Sequence, residues 1–405
     1  MSAQSQLEGS AASLSRRRAL AGLLATAGGT WLAGCSGNSS YISTTPPPQS
    51  SEATLGATIG TGEVKVALIL PLSAQGNAGL AGQAMRNAAE MAVAEFTAPN
   101  IQIAVKDDGG TAEAARIAAQ QSLDQGAEII LGPLFAQAVG FVGQVARSRN
   151  VPVIAFSTDT NVASRGVYLL SFLPESDVER IVQYAASNGK RSFVALIPDN
   201  PYGTVVEAAF RQAVARHGGQ LVGLERYPHD KAAMATPARN IAQSSARADA
   251  ILIPDGGDAV PDVVQALITA GVNPKKIQLL GTGLWEDPRI YATPTLEGGW
   301  FAAPDGAGYR NFAARYAARF KQQPVRTATL SYDAVALIAA LVKTQGPQRF
   351  SPEVLTNPSG FSGIDGLFRF RQDGANERGL AVMRVTASGP QTIAPAPHSF
   401  GASGI

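Results

Sequence analysis

One cysteine and three histidines are all that this chain of 405 residues carries of the side chains that most often hold metals or act as nucleophiles. Cys35 has no partner for an internal disulfide, so stability has to come from packing. His217, His229 and His398 lie in polar or terminal stretches and are expected to be solvated surface residues. The phosphate-binding GxxxxGK[ST] pattern, the GxSxG elbow, HExxH and paired Cys/His spacings are all missing. No catalytic residue, metal ligand or cofactor is therefore assigned, and an enzyme is the least favoured class. Charge is scarce as well, at 16% of residues, with 33 basic against 31 acidic side chains. A balance so close to neutral offers nothing to steer the chain to nucleic acid.

The apolar stretch from Ala19 to Trp31 is too short and too rich in glycine to span a bilayer. It follows the basic Arg16-Arg17-Arg18 and ends in Leu32-Ala33-Gly34-Cys35, which resembles the bacterial lipobox, where small residues admit a peptidase to the bond before a cysteine that becomes diacylated. Ser15-Arg16-Arg17-Arg18-Ala19-Leu20 also resembles the twin-arginine export signal, although Ala19 replaces its usual bulky residue. Residues 1–34 are thus expected to be a cleaved signal peptide, with Cys35 as the lipid-bearing first residue of a protein anchored to a membrane in the periplasm. Cleavage there removes three arginines and Glu8, leaving equal numbers of acidic and basic side chains. Residues 35–61, rich in Ser, Thr, Pro and Gly, cannot bury a core. They read as a flexible tether with a reach on the order of 30 Å.

From Glu63 onward, short apolar runs alternate with helical patterns. The expected strands start at Val64, Ile101, Glu128, Val151, Phe193, Gln220, Ala250 and Ile277, and each is apolar on both faces, as a parallel sheet covered by helices requires. Met85, Ala88, Ala89, Ala92, Val93 and Phe96 share one helical face, as do Val206, Ala209, Phe210, Ala213 and Val214. Asp258 is expected to cap a helix that buries Val260, Val264, Leu267 and Ile268. Two further helices are placed around Asn311–Phe320 and Ser331–Lys343. The alternation predicts a doubly wound α/β architecture, and "YLLSFLPESD" reads as a chain crossing between two lobes.

Ligands of open parallel sheets bind outside the carboxyl ends of the strands. Those ends carry "PLSAQGNAG", "DDGGT", "GPLFAQ", "FSTDT", "PDNPYG", "PDGGD" and "GTGLWED", an inventory suited to a small polar ligand. Asp107 and Asp108 are better explained by the turn into the next helix than by paired-carboxylate chemistry. Tyr202 and Trp285 are read equally as aromatic lids or as edges of the core.

The succession "VALILPLS", "AEMAVAEF", "VKDDGG", "IILGPL", "VPVIAFST", "PDNPYG" and "ILIPDGG" resembles the Leu/Ile/Val-binding family of type 1 periplasmic solute-binding proteins over nearly the whole mature chain. Within that family, "LGPLFAQAV" with "VPVIAFS" is most similar to the lipoproteins called penicillin-binding protein activators. The resemblance implies two hinged lobes, each a doubly wound parallel sheet. Residues 62–172 and about 284–345 are expected in the first, and 173–283 and about 346–395 in the second. It also implies that Ser157, Thr158 and Asp159 match the loop that holds a ligand carboxylate and that Tyr202 matches the aromatic of the family's "YG" element. The third-strand serine is replaced by Ala136, and the acidic position of the second lobe falls near Gly283; Asp159 or Asp255 is the expected substitute. Ser73, Gln75, Phe135, Gln137 and Trp285 complete the expected ligand-binding set. Two partners follow from the resemblance: the permease of an ABC importer for amino-acid-like solutes, or a peptidoglycan synthase stimulated by an interaction module.

Overall fold

A computed structural model of the chain describes residues 58–400; the signal segment, Cys35 and most of the tether lie outside the described residues. The first sheet holds β1 (Thr58–Ile59), β2 (Val64–Leu70), β3 (Ile101–Asp107), β4 (Ile129–Leu131), β5 (Val153–Ala155) and β6 (Val167–Leu169), in the order β1-β3-β2-β4-β5-β6. All pairings are parallel except that of β1, which lies antiparallel on the edge of β3. The expected tether therefore ends earlier than residue 61, because Thr58 and Ile59 are already drawn into the ladder opposite Ala104 and Ile103. Helices α1 (Asn77–Glu95), α2 (Ala112–Asp124) and α3 (Ala136–Arg147) connect these strands. Thr111 starts α2 by accepting a hydrogen bond from the Ala114 amide on its hydroxyl, and Asp107 and Asp108 accept from the Gly109 and Gly110 amides in the turn before it.

The second lobe opens with α4 (Pro174–Ser187), followed by β7 (Ser192–Pro198), α5 (Pro201–Arg216), β8 (Gln220–Tyr227), α6 (Ala235–Ser245), β9 (Ala250–Leu252), α7 (Val260–Thr269), β10 (Gln278–Gly281), the short α8 (Pro288–Tyr291) and β11 (Trp300–Ala303). The chain then returns through α9 (Gly306–Phe320), α10 (Ala328–Thr344), α11 (Pro352–Leu355) and a small sheet of β12 (Phe361–Gly363), β13 (Gly366–Phe370) and β14 (Asn376–Arg378). It closes with β15 (Ala381–Thr386) and β16 (Gly389–Ala394), which complete the second sheet in the order β16-β15-β11-β10-β9-β7-β8. Asp258 does not cap α7, whose N-cap is Ala259 without a side-chain bond; its carboxylate pairs with Arg289 instead.

Each sheet is covered on both faces, which explains why the central strands β4, β5, β7 and β9 are largely apolar and buried. In β7, Val194 and Leu196 pack toward Ile241 of α6 and Val264 of α7, while Phe193, Ala195 and Ile197 pack toward Ile181 of α4 and Phe210 of α5. In the first lobe, α10 lies against α1 and the first sheet, with Leu330, Val335 and Ile338 joining Leu68, Leu131 and Ile154.

The late segments fall differently from the sequence expectation. Residues 284–303 belong to the second lobe: Trp285, Leu296 and Phe301 lie in its core, and β11 pairs with β10 and β15. Residues 346–378 belong instead with the first lobe, where Leu355, Phe368 and Phe370 are buried. Apolar residues of one lobe resemble those of the other, so only the pairing of strands assigns them.

Between β1 and β16 the chain passes from one lobe to the other at Leu170–Leu173, Pro304–Asp305 and Gly379–Leu380. The first passage is where "YLLSFLPESD" placed it. Arg378 and Asn376 lace the first and third together, both donating to the Ser171 carbonyl at 2.9 Å. The Arg378 guanidinium is buried, 4.7 Å from the ring centroid of Phe172 and 5.6 Å from that of Phe368. Burial lowers its pKa, against the pull of Asp365 and Asp333.

Candidate functional site

Both sheets share one winding. Leaving aside the added antiparallel strands, the orders β3-β2-β4-β5-β6 and β8-β7-β9-β10-β11 each reverse direction once, between β2 and β4 in the first and between β7 and β9 in the second. Such a reversal leaves two neighbouring loops diverging to opposite faces of the sheet, and the crevice between them is where open α/β sheets bind ligands. The sequence-selected residues gather at these two points. Ser73 and Gln75 follow β2, and Phe135, Ala136 and Gln137 follow β4 at the start of α3. Ser157, Thr158 and Asp159 follow the adjacent β5; Tyr202 follows β7 and Asp255 follows β9.

In the first lobe, Phe135 is 37% exposed beside Gly110, and Ser73, Gln75, Gln137 and Thr158 are also exposed. The Ser73 amide donates to Asp107 Oδ1 at 3.2 Å. Ala136 is the first residue of the twelve-residue α3, so it presents backbone amides at a helix N-terminus where a serine hydroxyl was expected. Ser157 is buried and its Oγ accepts from the Asp159 amide at 3.1 Å. Asp159 Oδ1 accepts from the Asn161 amide at 3.0 Å and from Asn161 Nδ2 at 2.9 Å, capping the turn Thr160–Val162.

In the second lobe, Asn200 accepts from the Gly203 amide and so starts α5 with Tyr202 in its first turn. The Tyr202 hydroxyl is 2.9 Å from Thr282 Oγ1, and burial raises its pKa. Asp255 is already well supplied with donors: Tyr227 Oη at 2.5 Å and His229 Nε2 at 2.7 Å on Oδ2, and the Gly256 amide at 2.8 Å on Oδ1. His229 is thus a surface residue hydrogen-bonded to a carboxylate, as is His217, whose Nε2 is 2.8 Å from Glu179 Oε1. Trp285 is no lid. It is fully buried in the second core, its indole donating to the Ile253 carbonyl at 3.0 Å.

Sequence reasoning missed one carboxylate. Asp177, in the first turn of α4, accepts the Gly283 amide on Oδ2 at 2.9 Å, and a β-carbon at position 283 would come within 3.1 Å of that oxygen. Asp177 thus brings a carboxylate from another element up to Gly283. Burial pushes the Asp177 carboxyl up to about 7, against the Gly283 amide and Arg378. Neighbouring Glu175 reaches the other lobe, its Oε1 accepting from Thr160 Oγ1 at 3.0 Å. That contact brings the loop after β5 up to the start of α4.

Two doubly wound lobes joined by three passages of the chain define the fold of a type 1 periplasmic binding protein. Residues 63–390 match the sequence profile of the family described as "Periplasmic binding protein", and the chain belongs to that family. A curated relative, RP748 of Rickettsia prowazekii (strain Madrid E), described as an uncharacterized protein, is 21% identical over 222 residues, 55% of this chain. The match spans 56% of that relative's length. Among solved structures, a Rhodospirillum rubrum protein assigned to a branched-chain amino acid ABC transporter superimposes with a TM-score of 0.71 at 19% identity, over 82% of this chain and 99% of its own. A Desulfitobacterium hafniense ABC transporter substrate-binding protein in complex with Leu gives 0.60 at 16%, over 82% and 99%. A Rhodopseudomonas palustris solute-binding protein in complex with 3,4-dihydroxy benzoic acid gives 0.58 at 19%, over 83% and 98%. At these identities the structures bear on the fold alone. Among the described residues no helix is long and apolar enough to cross a membrane, and no group of His, Cys, Asp or Glu is arranged to hold a metal ion.

Proposed function

We propose that the chain is an exported lipoprotein that binds a small amino-acid-like solute between its lobes as the substrate-binding component of an ABC importer. The observation that carries this is the pairing of two strand-order reversals, one per lobe, each lined by small, hydroxyl-bearing or acidic residues. In this reading the amides at the start of α3 and the Ser157–Thr158 loop take the ligand carboxylate. Asp177, with Glu175 beside it, takes the ammonium; Asp255 has its donors already and Asp159 serves its own turn. No step requires a catalytic group, and the protein acts by binding rather than by chemistry.

The test is a thermal-shift screen of amino acids and short peptides against the full chain, followed by calorimetric titration of hits with Asp177→Asn. Removing one side of a desolvated charge pair costs roughly 3 to 5 kcal/mol, a loss of about 100-fold to several-thousand-fold in affinity. Full affinity in Asp177→Asn would refute its role. Hits confined to carboxylates without an amine would keep the solute-binding reading and change the ligand class.

A second reading, in which the chain stimulates a peptidoglycan synthase, is favoured by exposed apolar residues on neighbouring outer helices: Ile117 of α2 is 43% exposed and Phe141 of α3 is 45% exposed. An empty screen together with loss of synthase stimulation in Phe141→Glu would move the assignment there.

A further inference from the structure

We infer that residues 395–400, beyond the last residue matched by the family profile, form a strap that ties the lobes together and limits how far they separate. After β16 the chain leaves the second sheet in the sequence Pro395-Ala396-Pro397-His398-Ser399-Phe400 and crosses to the first lobe. Its start is held on the second lobe. Arg180 of α4 donates to the Pro395 carbonyl at 3.4 Å, and Ala396 packs on the core that contains Met383 and Val385. The same guanidinium donates to the Leu380 carbonyl at 2.9 Å, so strap and third passage share one anchor.

The middle of the strap lies on that passage. Pro397 is so close to Gly379 that a β-carbon there would sit 3.1 Å from its ring. The far end is held on the first lobe: the Phe400 ring occupies the space where a side chain at Gly360 would be, 2.8 Å from its β-carbon position, and lies 4.5 Å beneath the Arg369 guanidinium. Arg369 is itself fixed by Glu377 at 2.6 Å and donates to the Pro358 carbonyl at 3.1 Å, so the ring meets a braced surface. Two prolines in three residues favour an extended, stiff backbone of about 3.1 Å per residue, which resists both stretching and folding back. A stiff segment pinned on both lobes beside a passage permits fewer lobe arrangements than the three passages alone. It acts on the arrangement of the lobes, whatever the ligand.

The test measures the distance between lobes directly. The full chain carrying Cys35→Ser, Gln121→Cys on α2 and Gln212→Cys on α5 is spin-labelled, and its distance distribution is compared with and without the strap. Phe400→Ala and a chain ending at Ala394 are both expected to lose the narrow distribution and spread to longer and shorter distances. Phe400→Trp, which keeps a ring over Gly360, is expected to retain it. Distributions of unchanged width in Phe400→Ala and the shortened chain would overturn the inference and leave the tail as a local packing element. Should the shortened chain not fold, Phe400→Ala decides alone.

Discussion

Asp333 carries a charge-sensitive contact at the base of the lobes. Its Oδ1 accepts the Ile364 amide at 2.8 Å, and it lies in the field of Arg378, Asp365 and Arg326. Burial pushes its carboxyl up to about 7 from an ordinary 3.8, against the Ile364 amide and Arg378. A carboxyl with a pKa higher in the folded than in the unfolded state contributes stability below about pH 4, and that contribution is lost as pH rises through about 7. Asp333→Asn keeps the acceptor and cannot ionise. The unfolding free energy of the unaltered chain relative to this variant is expected to fall between pH 4 and 7 by a few kcal/mol, at about 1.4 kcal/mol per pH unit. Denaturant melts at a series of pH values check it, and parallel curves would contradict it. Asp159 tests a different kind of contact. As the cap of a single turn, Asp159→Ala is expected to cost about 1 kcal/mol of stability and to change affinity for any screened ligand little.

Among the elements, α5 shows how a cap positions the side chains that follow it. Asn200 holds the Gly203 amide at 2.8 Å, and the turn so formed directs Tyr202 to Thr282, which is wholly buried. Asn200→Ala is expected to lower stability by about 0.5 to 2 kcal/mol, measured by urea unfolding. Asn200→Asp, which preserves the acceptor, is expected to recover most of it. Such caps are local relations. Thr111 and Asn200 precede helices whose first amides they accept, a relation confined to four residues. Asp258 looked equivalent and is not, because the Arg289 guanidinium, thirty-one residues away, takes its carboxylate.

For the whole molecule, the lipid anchor and the fold make separate claims. If Cys35 carries lipid, Cys35→Ala is expected to abolish membrane fractionation and signal cleavage. Normal processing and membrane association in that variant would remove the lipoprotein assignment. The two lobes, by contrast, rest on the cores found among the described residues.

The alternation of buried strands and amphipathic helices was legible from Val64 to Gly281, save for the three-residue β6, whose residues ran into the crossing segment, because the longer elements signal themselves through near-neighbour spacing: mostly apolar on both faces for a covered strand, one stripe for a helix. The strand-end loops followed, since in a parallel sheet the loops that lead from each strand into the next helix all lie at the carboxyl ends of the strands. Tertiary structure alone decided what depends on contacts far apart in sequence. It assigned Trp285 to the core, because Ile253 and Phe301 enclose it. It placed β11 in the second lobe and β13 against the first. It set Asp177 beside Gly283, 106 residues away, where the sequence shows only a glycine. Spacing along the chain carries no information about which residue of a distant helix comes to lie beside Gly283; the packing of α4 against β11 supplies it.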